Sequence, residues 1–224
     1  MADYKIKWDE EGKRLYELGI DRGVLYPMDA KGKYTTGEAW NGLTGVDESP
    51  SGGEPTALYA NNKKYVDLMS SEEFAATIKA YTYPDGFKAC QGYKELAEGV
   101  LATQQTHQHF GFTYRTKIGN DTEGIDHGYK IHIVYNALAK PASRSNSTIN
   151  ASPEGTELSW EISTTPVEIN KAGFGSTAHI VIESTLDAAK LAKIEAMLYG
   201  GEADAKLPTI DELVAILEAA LEAA

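Results

Sequence analysis

At 224 residues, with 42% hydrophobic and 24% charged residues, the chain can bury a core and is neither disordered, collagenous nor stapled by disulfides. Its one cysteine, Cys90, has no internal partner, and no apolar run approaches the roughly 18 residues of a membrane-spanning helix. The net charge of −12 argues against a protein that grips nucleic acid by neutralising phosphates. Residues Met1 to Arg14 are too polar for the core of a signal peptide, so synthesis and retention in the cytoplasm are expected.

In chain order, Tyr4 to Trp8 alternates as a short strand, and Gly23 to Tyr26, within Gly19 to Pro27, is a second candidate. From Asp29 to Glu54 the composition turns to Gly, Ser, Thr, Asp and Pro, which predicts a long loop over residues 29–57. Trp40 and Leu43 inside it either anchor a neighbouring molecule or cap the chain's own core. Phe74 to Tyr83 combines β-favouring residues with a following Pro84-Asp85-Gly86 turn, which predicts a strand, preceded by a helical turn at Ser70 to Glu73. Gly86 to Leu101 is expected to be a loop with a short turn near Tyr93 to Glu98.

The most regular patterning lies between Phe110 and Pro166. Phe110, Phe112 and Tyr114 alternate with Gly111, Thr113 and Arg115, the two-residue period of a strand. Gly119 to Gly124 supplies turn residues, and a second strand then sets Tyr129, Ile131, Ile133 and Tyr135 opposite Lys130, His132 and Val134. Leu158, Trp160 and Ile162 alternate in a third, closed by Pro166. His179 to Ser184 is a β-branched run. Asp187 to Tyr199 is helical in pattern, with Thr185 as the expected cap and Gly200-Gly201 as the stop. After a tether at Ala203 to Lys206, Thr209 and Glu212 form a capping box for an apolar-striped helix reaching Ala223, with Leu221 on its stripe. These patterns predict a mostly β protein, a sandwich or barrel-like core with one or two flanking helices. Residues 1–200 would form the β domain, and residues 201–224 the tether and a C-terminal helix that most simply covers its own sheet.

Motifs for catalysis are missing. There is no nucleophile elbow, P-loop or dinucleotide fingerprint. Asp121, Glu123, Asp126 and His127 resemble a cation loop, but His132 occupies the twelfth position where an EF-hand needs Glu. His107 and His109 could share a strand face, yet no third ligand is evident. Cys90 is expected to be a small buried hydrophobe. No enzyme, metal or cofactor is therefore expected.

Several blocks do resemble a known family. RTKIGNDTEGIDHGYKIHIVYNALA from Arg115 to Ala139, then Ser147 to Asn150 and Ser159 to Val167, is similar to the major tail, or tail tube, protein of long non-contractile-tailed bacteriophages of Gram-positive hosts. Leu58 to Tyr65, Leu68 to Phe74, Ala80 to Asp85 and Leu207 to Leu213 extend the resemblance, so that it spans about Trp40 to Leu217. It implies a virion-tail subunit, made in the host cytoplasm, that forms hexameric rings stacked into a conduit through which DNA passes without specific binding. Tape-measure and terminator proteins are the implied partners, with no membrane involved.

On that resemblance, Trp40, Leu43, Asp47 and Glu48 would make contacts between rings, as would the tip residues Asp121, Glu123 and Asp126. Arg115, Lys117, Lys130 and His132 would lie on barrel strands facing the lumen. Two other classes are weighed beside it. One is a monomeric carbohydrate-binding or Ig-like adhesion module using exposed Trp40 and tyrosines. The other is a metal-dependent hydrolase built on Asp121 to His127.

Overall fold

The computed structural model describes residues 5–149 and 155–219, and strands dominate within them. The chain runs through β1 (Tyr16–Pro27), the two-residue β2 (Glu38–Ala39) and β3 (Leu43–Glu48). It then leaves the body as β4 (Ser51–Gly52), β5 (Pro55–Ala60), β6 (Lys63–Met69) and β7 (Glu72–Glu73), and returns as β8 (Ala75–Ala80). A short helix α1 (Phe87–Cys90) and the hairpin β9 (Lys94–Ala97) and β10 (Val100–Ala102) follow. Next come the longest pair, β11 (Phe110–Asn120) and β12 (Gly124–Ala139), then β13 (Leu158–Thr164) and β14 (His179–Glu183). Helices α2 (Ala188–Tyr199) and α3 (Ile210–Glu218) complete the described chain.

The main sheet runs β2-β1-β11-β12-β13-β8-β3, with β14 also on β12, and its pairs are antiparallel. Strand β12 serves two partners on one edge: Lys130 to Val134 pair with β14, and Ala137 to Ala139 pair with β13. The switch falls at Asn136, whose φ of 48° is left-handed. Opposite it the register jumps, Phe112 facing Val134 but Phe110 facing Ala137, so Tyr135 and Asn136 form a bulge that bends the strand. Asn tolerates this φ better than other side-chain-bearing residues do. Its backbone N–H donates to Tyr34 Oη at 2.9 Å, and its Nδ2 donates to the Thr165 carbonyl at 3.3 Å.

Alternation along β11 and β12 feeds two cores. Phe110, Phe112, Tyr114 and Val134 join Leu25, Trp40, Ile78, Phe87, Trp160 and Ile162 in one, because β13, β8 and β3 fold back over that face. Ile131, Ile133 and Tyr135 join Tyr26 on the other face, beneath Leu191, Ile194 and Leu198 of α2 and Ile210 and Leu213 of α3. Each such side chain contributes about 1.5–3 kcal/mol on burial. Tyrosine hydroxyls tie the second layer down: Tyr26 donates to the Leu198 carbonyl at 2.6 Å and Tyr135 to that of Pro208 at 3.0 Å.

The expected fold class is the observed one, mostly β with a C-terminal helix. The strands expected at Phe74 to Tyr83, Phe110 to Lys117, Tyr129 onward, Glu157 to Thr165 and His179 to Ser184 are present, as is the Thr209–Glu212 capping box. Several expectations fail. Residues 5–8 form no strand, Tyr4 lying outside the described residues; they pair with no other strand, and alternation alone does not make one. The loop over residues 29–57 instead holds β2, β3, β4 and the first half of β5. Pairing of β3 with β8, Val46 opposite Ile78, overrides the poor strand propensity of its Gly and Asp.

Ser70 to Glu73 ends in β7 rather than a helical turn, and Gly86 to Leu101 contains α1, β9 and β10. The cap of α2 is Asp187, not Thr185: its Oδ1 accepts from the N–H groups of Ala189 and Lys190 at 3.0 and 3.1 Å. Leu221 and Ala223 lie outside the described residues.

Replacing Asn136 by Val should cost about 1–3 kcal/mol, because a β-branched residue is strained at this φ. Asn136→Gly should stay within about 1 kcal/mol of the parent. Thermal unfolding of the pair measures the difference, and equal losses would mean that the left-handed backbone at 136 is not a constraint.

Candidate functional site

Nearly every residue of β5 and β6 is exposed, and the two strands pair only with each other. They meet at Asn61-Asn62, with φ of 50° and 60°, the two consecutive positive values of a type I′ turn whose twist suits a hairpin. Leu58, Val66 and Leu68 share one uncovered face, while Tyr59 is 72%, Tyr65 77% and Met69 73% exposed. A lone two-stranded ribbon is marginal in water, and a run of exposed large apolar side chains marks a surface that another surface covers. This segment forms an arm. Its root is the β4–β7 ladder together with the Ser49 N–H donating to the Ala75 carbonyl at 2.8 Å.

At that root the two ends of the arm rest on a histidine pair. Glu48, the last residue of β3, accepts a 2.6 Å hydrogen bond from Tyr114 Oη and lies with Oε1 3.4 Å from His132 Nδ1. His132 Nδ1 is 3.2 Å from His179 Nε2, and His132 Nε2 is 3.1 Å from Thr116 Oγ1. The rings form a row: Tyr114 stacks on His132 at 4.5 Å and 6°, His132 meets His179 edge to edge with centroids 5.4 Å apart and planes at 12°, and Phe74 lies against His179 at 4.3 Å. Burial, and then the neighbouring His179, lower the His132 pKa to about 4; burial likewise lowers that of His179. Both imidazoles are therefore uncharged near neutrality. Among the described residues, these side chains are the one group of three or more His, Cys, Asp or Glu whose ligand atoms all come within 4.8 Å of one another.

The residues singled out from the sequence are spread over several environments. Trp40 is 3% exposed and belongs to the chain's own core: it packs on Phe87 at 4.6 Å and Phe112 at 5.3 Å, and its Nε1 donates to the Thr82 carbonyl at 3.0 Å. That burial also removes it as a sugar-stacking platform. Leu43 packs beside the same cluster, and Asp47 pairs with Lys79 at 2.6 Å. Asp121 accepts from the Gly12 N–H at 3.0 Å and pairs with Arg14 at 3.4 Å; Glu123 pairs with His127 at 2.6 Å, and Asp126 is exposed. The Asp121 to His127 carboxylates are held separately and do not converge on one point.

Arg115 makes two 2.6 Å bonds to Asp21, and its guanidinium lies 4.9 Å over the Tyr129 ring. Lys117 is half-buried, and Lys130 pairs with Glu17 and, at 3.9 Å, with Glu183. His132 is only 6% exposed within its own chain, covered by Glu48 and the arm root. His107 Nδ1 meets the Ala139 carbonyl at 2.8 Å, and burial pushes the Cys90 thiol up to about 12, far from nucleophilic.

Sequence reasoning did not find the Glu48–His132–His179 group as a unit. Its members come from three strands far apart in the chain, and His179 carried no local signal.

No family model matches the chain, and no curated protein matches it. Among solved structures, it is similar to the sheath/tube terminator of an extracellular contractile injection system, PVC, in the extended state. The likeness has a TM-score of 0.35 at 14% identity, covering 75% of this chain and 97% of that one. At that level it carries no argument about this chain. Among the described residues, no helix is long and apolar enough to cross a membrane.

The hydrogen bond from Arg115 holds the Asp21 carboxyl below its ordinary range. A depressed carboxylate adds stability above the unfolded-state pKa of about 3.9 and loses it as pH falls through the folded value. Asp21→Asn should therefore cost about 1 kcal/mol at pH 7, given the partial exposure of the pair. The gap in denaturant midpoint should close below about pH 4. A gap unchanged at low pH would mean that the ion pair is not its source.

Proposed function

We propose that this chain is a structural subunit of a phage-type tail tube, assembling side by side into rings and end to end into a conduit, and catalysing no reaction. The observation that carries the proposal is the open-edged sheet β1–β11–β12–β14. Among the described residues, the Tyr16 to Asp21 part of β1 has β11 on one side and no strand on the other, and β14 pairs only with β12. Unpaired edges are a hazard that closure into a ring removes, and a head-to-tail contact between unlike edges propagates until it closes. The sequence resemblance to tail tube proteins points the same way.

In a closed ring, the face of this sheet away from α2 and α3 would line the lumen. It carries Glu17, Thr116, Lys130 and Glu183, two carboxylates to one ammonium, and such a wall repels phosphates and lets DNA slide. The arm, with its uncovered Leu58, Val66 and Leu68, would reach the next ring. Tape-measure and terminator proteins would be the partners inside the tube and at its end, and the virion tail its place of residence.

Purified protein, concentrated and viewed by negative-stain electron microscopy with sedimentation alongside, should form stacked rings of uniform width. A variant with residues 54–70 replaced by a short Gly-Ser linker should keep its far-ultraviolet circular dichroism and lose the stacks. Protein that stays monomeric alone and with tail-tip proteins would overturn the proposal, as would an arm-less variant that still makes full tubes for the role of the arm.

A further inference from the structure

We propose that Glu48, His132 and His179 form a binding site for a divalent transition-metal ion of the zinc class at the root of the arm. Zinc is held by imidazole nitrogens and carboxylate oxygens at about 2.0–2.2 Å, which makes the edge between two ligands of a tetrahedron about 3.3 Å. The two distances that define the group are 3.2 Å, His132 Nδ1 to His179 Nε2, and 3.4 Å, His132 Nδ1 to Glu48 Oε1. Both edges from His132 Nδ1 thus already match that tetrahedron, and the third pair, His179 with Glu48, lies within 4.8 Å. A bound ion would take the place of the contact between the two facing ring nitrogens, with both rings turning toward the Glu48 carboxylate. The half-exposed Glu48 leaves the fourth position to water.

The surroundings are those of a supported ligand set. The Thr116 hydroxyl sits 3.1 Å from the far nitrogen of His132, and the Tyr114 hydroxyl donates at 2.6 Å to the Glu48 carboxylate. Such partners fix ring orientation and carboxylate position in metal sites, and losing them weakens binding. Tyr114 and Phe74 clamp the imidazole pair between aromatic faces, at 4.5 Å from His132 and 4.3 Å from His179. The ligand types, two imidazoles and one carboxylate, suit Zn²⁺, Co²⁺ and Ni²⁺ better than Mg²⁺ or Ca²⁺, which take all-oxygen shells. A bound ion would join the end of β3 to β12 and β14, pinning one root of the arm to the sheet. The site rests on its own geometry and does not depend on the tail-tube proposal.

The test uses tag-free full-length protein stripped with chelator. Titration with Zn²⁺ by calorimetry should give one ion per chain, and Co²⁺ should give the intense visible bands of a tetrahedral N,O site. Zn²⁺ should also raise the melting temperature in a concentration-dependent way. Glu48→Gln, which keeps an acceptor for Tyr114, and His179→Gln should each weaken binding by about tenfold or more, with the circular dichroism of the metal-free protein unchanged. Absence of stoichiometric binding of either ion by the parent overturns the site. So does binding that neither substitution weakens, since the ion then lies elsewhere.

Discussion

The constraint on which the structure depends is that the Phe110 to Tyr114 stretch of β11 and the Ile131 to Tyr135 stretch of β12 are buried on both faces. Phe112, Tyr114 and Val134 need one apolar layer and Ile131, Ile133 and Tyr135 another, so the chain must supply two separate covers. One comes from the sheet itself, as β13, β8 and β3 turn back with Trp40, Phe87 and Trp160 between the layers. The other comes from α2 and α3. This explains why the C-terminal helix lies on its own sheet: without Ile210 and Leu213, the Tyr135 face would stand open to water.

The fold-back depends in turn on one backbone feature. A strand of regular β geometry could pair along one edge with a single neighbour, whereas the bulge at Tyr135 and Asn136 turns β12 so that its two halves take different partners. The half that pairs with β13 enters the closed sandwich. The half that pairs with β14 stays in an open layer with free edges. A closed core and an open-edged layer thus coexist in one chain, divided at a single left-handed residue.

What the sequence revealed follows from the range of the interactions involved. Phe110, Phe112 and Tyr114, or Leu158, Trp160 and Ile162, show their strands because each side chain reports directly on the face it occupies. The capping box of α3 was equally plain, since Thr209 and Glu212 are three residues apart. Strand β3 was hidden, because Gly45 and Asp47 carry turn propensity and only pairing with β8 makes them extended. Trp40 illustrates the same limit. Its setting among loop-like residues gave no sign that Phe87, Phe112 and Trp160 would converge on it. The histidine group was hidden most completely, for Glu48, His132 and His179 share no segment and meet only once β3 has folded across β11 and β12.

That meeting place joins the buried aromatic core to the exposed arm. On one side is the packed aromatic core, and the row of rings continues out of it from Phe112 through Tyr114, His132 and His179 to Phe74. On the other is an arm whose own ladder is too thin to hold a direction by itself. Glu48 stands where the chain leaves for the arm and Phe74 where it returns, and both contact the histidine pair. Both ends of the arm therefore rest on the polar end of the core.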